Sequence, residues 1–173
     1  MPGKVNDEGS PLDERQREGI GRAIGRIPSG LFILTARHED RRLGMLTSWV
    51  QQACMDPPMV SVAVHKGRPI MPLISESRRF GICQIAQGER LILRKFLSNN
   101  GDPDEDPFLG LEMIHDTLLA VPILANVLSY IECEMICHMD VEGDHDLFVG
   151  LARNGRYIAG EPHIHLREHG FKY

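Results

Sequence analysis

The sequence lacks the features that define several large classes of protein. No apolar run among its 173 residues approaches the roughly 20 residues that a membrane-spanning helix needs, and the N-terminal segment has no apolar core typical of a signal peptide. The net charge is −5 with an isoelectric point of about 5.9, and the cationic residues are scattered except over residues 90–95. Because the cations do not form a basic face, we do not expect nucleic-acid binding. We expect a cytoplasmic protein that contacts neither nucleic acid nor membrane.

Cysteine and histidine are present, but they form no recognisable disulfide or metal pattern. The four cysteines are widely and irregularly spaced, so we expect buried thiols and not a disulfide framework. Cys133 and Cys137 lie beside His138, but no second C-x-x-C pair completes a tetrahedral zinc site. The histidines of the tail also lack a matching acid or cysteine: His163, His165 and His169. We predict no metal.

The length suits a single domain with one hydrophobic core. Residues 1–12 are polar and rich in proline and glycine, which predicts a flexible N-terminal arm before a domain over 13–173. A helix is predicted to follow from Leu12 to Ile27, with Asp13 as its N-cap. Three isoleucines at helical spacing are predicted to form its packing face: Ile20, Ile24 and Ile27.

The remainder of the chain contains several segments of strand character and few of helix character. Short helices are predicted over 70–77 and 90–97, and a polar surface loop over 98–107. In the segment Met59–His65, valines at alternate positions predict a strand with one apolar face. Further strands are predicted over 31–36, 80–85, 125–139 and 147–154. The pattern predicts a mainly β protein with helical additions, arranged as a β-barrel.

The segment Gly44–Pro58, GMLTSWVQQACMDPP, is the most informative stretch. Thr47 and Ser48 can each donate and accept a hydrogen bond, and the only tryptophan of the chain, Trp49, offers a flat face to an aromatic ligand. These residue types favour a ligand cradle. The alternative is an ordinary strand in which the hydroxyls face solvent and Trp49 fills the core.

Several segments, in order, closely resemble the flavin reductase-like family, the FMN-binding split barrels. They are IPSGLFILTA, GMLTSWVQQACMDPP, FGICQI followed by RKF, and GDHDLFVG over residues 143–150. The resemblance implies a split β-barrel that forms a homodimer and binds FMN, with FAD as the alternative, without a covalent bond. It also implies hydride transfer from NADH or NADPH to that flavin.

Isoalloxazine carries a pyrimidine edge of alternating donors and acceptors, so its site needs amides, hydroxyls and backbone N–H groups along one rim. The resemblance and these residue types together give the predicted cofactor-binding set: Leu46, Thr47, Ser48, Trp49, Gln52, Ala53 and Cys54. Cys54 and Cys83 stand where family members commonly carry serine and asparagine. Both replacements remove hydrogen-bonding capacity.

A flavin phosphate also needs a cation or free N–H groups. The turn after the strand predicted over Met59–His65 supplies two candidate cations, Lys66 and Arg68. Arg78 and Arg79 are weaker candidates. The alternative for this turn is a solvated hairpin tip.

His145 is the candidate catalytic residue, because a family histidine after Gly-Asp often lies beside the flavin where nicotinamide stacks. The alternative is a tight Gly-Asp-His turn with the imidazole exposed. Hydride transfer itself needs stacked rings more than a general base.

The sequence thus predicts an NAD(P)H-dependent flavin reductase that hands electrons or reduced flavin to an acceptor protein or a monooxygenase. Two alternatives remain open. One is an FMN electron carrier that never contacts a nicotinamide, and the other is a split barrel that binds another flat ligand such as haem.

Overall fold

The computed structural model describes residues 12–98 and 106–171. The predicted flexible arm lies outside these residues except for Leu12, as does most of the predicted surface loop over 98–107. The described elements, in chain order, are α1 (Glu14–Gly25), β1 (Phe32–His38), β2 (Arg41–Thr47), β3 (Val50–Cys54), β4 (Met59–His65), α2 (Ile70–Ser77), β5 (Arg79–Gln84), α3 (Leu91–Ser98), β6 (Met113–Ile114), β7 (Ile123–Leu124), β8 (Ser129–Asp140) and β9 (His145–Tyr157).

The chain divides into two compact units. The smaller combines Met1–Pro28 with Leu166–Tyr173, and the larger is Ser29–His165. Among the described residues, no helix is long and apolar enough to cross a membrane.

In the smaller unit, helix α1 begins as predicted. The Asp13 side chain accepts from the backbone N–H of Gln16, and the Gln16 side chain accepts from the backbone N–H of Asp13, which completes a capping box.

The packing face of α1 differs from the prediction. Of the three predicted isoleucines only Ile24 is half-buried, and Ile20 and Ile27 are exposed, whereas Gly21 and Gly25 are buried. The physical reason is close approach, since a Cβ on Gly25 would lie 2.7 Å from the carbonyl oxygen of Arg167. The glycines give the C-terminal segment room against the helix, and a row of isoleucines could not.

The larger unit is built on a seven-stranded antiparallel sheet in the order β2-β1-β5-β8-β9-β4-β3. Strands β2 and β3 are its two opposite edges, yet only Ser48 and Trp49 connect them. A connection of that length spans about 10 Å, so the sheet must curl until its edges approach each other at this point without pairing. The predicted mainly β architecture with helical additions is confirmed.

The sheet carries apolar clusters on both faces. In β1, Leu34 belongs to one cluster with Phe80 and Phe148, and the adjacent Ile33 belongs to the other, with Phe96 and Phe108. Successive side chains of a strand point to opposite faces, so β1 is buried on both sides. Helix α2 contributes to the first cluster and helix α3 to the second.

Most predicted elements are present with shifted ends. Helix α2 has the predicted bounds, and the alternation in β4 is confirmed because Val60, Val62 and Val64 are buried between half-buried neighbours. Strand β8 begins at Ser129 and not at residue 125, because residues 123–124 pair with Met113–Ile114 as a separate ribbon. Strand β9 is longer than predicted at both ends.

Candidate functional site

The two-residue connection between β2 and β3, called here the β2–β3 link, holds Ser48 and Trp49. Ser48 is 5% exposed, and its Oγ atom has no hydrogen-bond partner among the described residues. A buried hydroxyl without a partner is costly, commonly by about 1–3 kcal/mol. Trp49 is half-buried, and its carbonyl oxygen accepts from the backbone N–H of Ala63 at 3.0 Å. The backbone of the link is therefore held to β4, and the hydrogen-bonding capacity of the Ser48 hydroxyl is unused by the described residues.

Three aromatic rings lie together beside this link. The ring centroids of Trp49 and His145 are 4.5 Å apart with a tilt of 42°, and those of His145 and His65 are 5.1 Å apart and nearly perpendicular. Pairing of β4 with β9 sets His65 opposite His145. Two predicted site residues, Trp49 and His145, are thus in contact. His65 was missed as part of this cluster, because no local signal gives the register of β4 against β9.

Hydrogen bonds fix the orientation of both imidazoles. Nδ1 of His145 lies 2.8 Å from a carboxylate oxygen of Asp144, and Nδ1 of His65 lies 2.8 Å from the carbonyl oxygen of Lys66. Both acceptors are oxygens, so each Nδ1 carries the proton and donates it. The hydrogen bond from His145 lowers the pKa of Asp144. Nε2 of each ring is the nitrogen left for a ligand.

The predicted phosphate cations differ in what surrounds them. Lys66 Nζ lies 2.7 Å from Asp140 Oδ1 and 3.6 Å from Asp146 Oδ1. The hydrogen bond to Asp140 is the main cause of a raised pKa for Lys66. Arg68 is exposed, and its guanidinium has no hydrogen bond or ion pair with the part of the chain that the structure describes.

The two weaker candidate cations are already engaged. The guanidinium of Arg78 donates to the carbonyl oxygen of Met135 at 3.0 Å, and that of Arg79 donates to the carbonyl oxygen of Leu119 at 3.3 Å. Arg68 is therefore the candidate with its donors available.

The other predicted rim residues lie along β2 and β3. Leu46 is half-buried and packs against the second apolar cluster, and Thr47 is the last residue of β2. Ala53 is exposed, as is Gln52, whose side-chain amide donates to the carbonyl oxygen of Cys54 at 3.4 Å.

The expectation of buried thiols is confirmed for Cys83 and Cys133, whereas Cys54 and Cys137 are half-buried. Cys83 is fully buried in the second apolar cluster, and burial raises its pKa to about 12. Burial raises the pKa of Cys133 to about 12 as well, with a further contribution from Glu132. Within residues 12–98 and 106–171, no three His, Cys, Asp or Glu side chains are grouped so that they could hold a metal ion.

Comparison with known proteins gives the family. The model of the flavin reductase like domain matches residues 24–170. The chain belongs to this family. The resemblance seen in the sequence motifs is confirmed.

This flavin reductase-like chain has curated relatives that are much longer than itself. It is 36% identical over 156 residues to diflavin flavoprotein A 1 of Synechocystis sp., a match that covers 89% of this chain and 27% of the relative. A putative diflavin flavoprotein A 3 of Nostoc sp. is 33% identical with the same coverage. The chain thus spans about a quarter of the length of the curated relatives it matches.

Solved structures of this family have the same fold. An NADH:FAD oxidoreductase of Streptomyces globisporus superimposes with a TM-score of 0.77 at 21% identity, covering 93% of this chain and 92% of that one. The flavin reductase of styrene monooxygenase from Pseudomonas putida S12 superimposes with a TM-score of 0.71 at 22% identity, covering 84% of this chain and 90% of that one. These likenesses confirm the split-barrel prediction.

Proposed function

We propose that this chain binds FMN, with FAD as the alternative, at the β2–β3 link and reduces it with NADH or NADPH. The observation that carries this proposal is the buried Ser48 hydroxyl, which has no hydrogen-bond partner in the described structure and lies next to the only tryptophan. Bound flavin would supply a redox-active ring that accepts a hydride from a nicotinamide. Family membership supports this chemistry.

The residues present fit the chemical requirements of a flavin. Ser48 and Thr47 offer hydroxyls to the polar edge of the ring system, and Trp49 offers apolar contact. His145 lies against Trp49 with Nε2 available, which suits it to orient a nicotinamide or to stabilise negative charge. Arg68 is the cation best able to meet a phosphate, since its donors are not engaged by the described residues.

A second candidate function is an electron carrier, which the partial match to longer relatives leaves open. Diflavin flavoprotein A 1 is a longer protein of which this chain matches only a part, and its name refers to flavin. A domain of such a protein could receive electrons from another protein and hold its flavin without contacting a nicotinamide. The experiment must distinguish this electron-carrier function from the reductase function.

We further propose that the chain acts in the cytoplasm as a homodimer and passes electrons or reduced flavin to an acceptor protein or a monooxygenase. The sheet face opposite the first apolar cluster carries half-buried apolar side chains on β4 and β9, among them Ala63, Leu147 and Val149. Such a face suits association with a second copy.

The deciding experiment is a visible spectrum of the purified protein with FMN added, followed by anaerobic addition of NADH or NADPH. Bound flavin whose absorption bands bleach would establish a reductase and name its donor. Bound flavin that does not bleach would establish the electron carrier. Failure to bind the added FMN, or a Soret band in the purified protein, would overturn the flavin proposal.

A further inference from the structure

The predicted phosphate region contains a network of charges that the proposed reaction does not use. Lys66 follows β4, Asp140 ends β8, and Asp146 is the second residue of β9. Pairing of β9 with both β4 and β8 brings these three residues together. The backbone N–H of Lys66 also donates to the carbonyl oxygen of Asp144 at 2.9 Å, which holds the turn against the β8–β9 hairpin.

Lys66 lies within ion-pair range of two carboxylates. Its principal partner is Asp140 at 2.7 Å, and Asp146 Oδ1 lies 3.6 Å away, beyond hydrogen-bond length but within ion-pair range. Asp146 is buried, and its other oxygen lies 2.7 Å from Nε2 of His138. Two carboxylates thus act on one ammonium group, and an approaching phosphate would meet repulsion from both.

We propose that Asp140 and Asp146 are specificity-determining residues that keep Lys66 from the flavin phosphate, so that Arg68 alone recognises it. This inference rests on the proposed function, because it concerns the phosphate group of the ligand bound at the β2–β3 link.

The structure supports a charge-removing variant that keeps the local hydrogen bonds. Asp140 Oδ1 accepts from the backbone N–H of Glu142 at 2.8 Å and from Lys66. The amide oxygen of asparagine can accept both bonds, so Asp140→Asn removes the charge without removing the acceptor. Asp40→Asn is the matched control, because Asp40 is exposed in the β1–β2 turn and the variant loses the same unit of charge.

The test measures dissociation constants for FMN and riboflavin, which differ in the phosphate group. We expect Asp140→Asn to bind FMN about three- to fivefold more tightly with riboflavin unchanged, since one exposed ion pair is exchanged for another. Combining Lys66→Met with Asp140→Asn should abolish the gain, because the ammonium group that would meet the phosphate is then absent. Asp40→Asn should show no gain.

Several outcomes would overturn the inference. One is an unchanged FMN affinity in Asp140→Asn, and another is an equal gain in Asp40→Asn, which would assign the effect to net charge. A gain that persisted in the Lys66→Met, Asp140→Asn double variant would show that Lys66 is not the cation that Asp140 withholds from the phosphate. If neither flavin bound to any variant, the proposed function would fail, and this inference would fail with it.

Discussion

Trp49 and His145 come from opposite halves of the chain, yet their ring centroids lie 4.5 Å apart. Trp49 lies in the β2–β3 link at the edge of the sheet, and His145 opens β9. Asp144 holds the His145 ring through Nδ1, so the contact with Trp49 has a defined orientation. The candidate cofactor-binding residue Trp49 and the candidate catalytic residue His145 thus belong to the same site.

Replacing His145 with alanine should slow hydride transfer more than it weakens flavin binding. The imidazole is held beside the ring of Trp49, where it can position a nicotinamide, and mispositioning of this kind costs about tenfold or more in rate. Stopped-flow measurement of flavin bleaching gives the transfer rate, and titration gives the flavin affinity. His115→Ala, which alters an exposed histidine, is the control. An unaltered transfer rate in His145→Ala would mean that the histidine packs against Trp49 without taking part in hydride transfer.

Ser48→Ala should weaken FMN binding without destabilising the protein. The hydroxyl has no partner in the described structure, so its loss breaks no intramolecular hydrogen bond, whereas a ligand bond worth about 1 kcal/mol corresponds to about fivefold in affinity. Flavin titration and urea unfolding measure the two effects. In Ser129→Ala, a hydroxyl bonded to the Gln84 side chain is lost, so stability should fall and flavin affinity should not. Wild-type affinity in Ser48→Ala would contradict the cradle.

The local part of the fold could be predicted from the sequence. The apolar periodicity of Ile70–Ser77 and the alternation of valines in β4 depend only on near neighbours. The contact of His65 with His145 and the carboxylates around Lys66 depend on how β9 pairs with β4 and β8, strands distant in sequence. Register of this kind has no local signal, so Lys66 and Arg68 were equivalent candidates until the pairing was known.

Helix α1 shows a second limit. Spacing alone selected the isoleucines as the packing face, because apolar periodicity assumes that a helix buries its largest apolar side chains. The structure buries Gly21 and Gly25 with only Ile24 of the isoleucines half-buried beside them, since the C-terminal segment approaches the helix backbone too closely for a side chain at the glycines. Only the packing partner, which is distant in sequence, decides between these two faces.

Glu132→Gln should destabilise the protein by about 2 kcal/mol, because a buried N–H group would then face the NH2 group of the glutamine amide, which cannot accept a hydrogen bond. Glu132 is fully buried and accepts from the backbone N–H groups of Leu118 and Leu119 and from the Asn154 side chain. An amide has one oxygen where the carboxylate has two. Urea unfolding at neutral pH gives the free energy. Glu134→Gln changes an exposed residue of the same strand and should cost less than about 0.5 kcal/mol.

Two glycines of α1 should respond in opposite ways to alanine. A methyl group added at Gly19 would meet no tertiary neighbour within 4 Å among the described residues, so Gly19→Ala should stabilise the helix by about 1 kcal/mol through helix propensity. Gly25→Ala should destabilise it, because the new methyl group would lie 2.7 Å from a backbone oxygen that cannot rotate away. Hydrogen exchange of the α1 amides measures both. Equal protection in the two variants would show that the C-terminal segment does not pack as described.

The ion pair of Arg42 with Asp106 should contribute stability only above the acid range. Asp106 lies 2.5 Å from Arg42, and this hydrogen bond lowers the pKa of the carboxyl in the folded protein. A lowered folded pKa means that the contribution is complete above the unfolded pKa of about 4 and is lost as pH falls through the folded value. Both side chains are more than a third exposed, so solvent screening limits the effect to at most about 1 kcal/mol.

Asp106→Asn should therefore lower the free energy of unfolding at pH 7 and match the wild type near the pH at which the carboxyl is protonated. Asp116→Asn, at an exposed carboxyl, should show no such difference, and a deficit in Asp106→Asn that persisted at low pH would assign the loss to packing and not to charge.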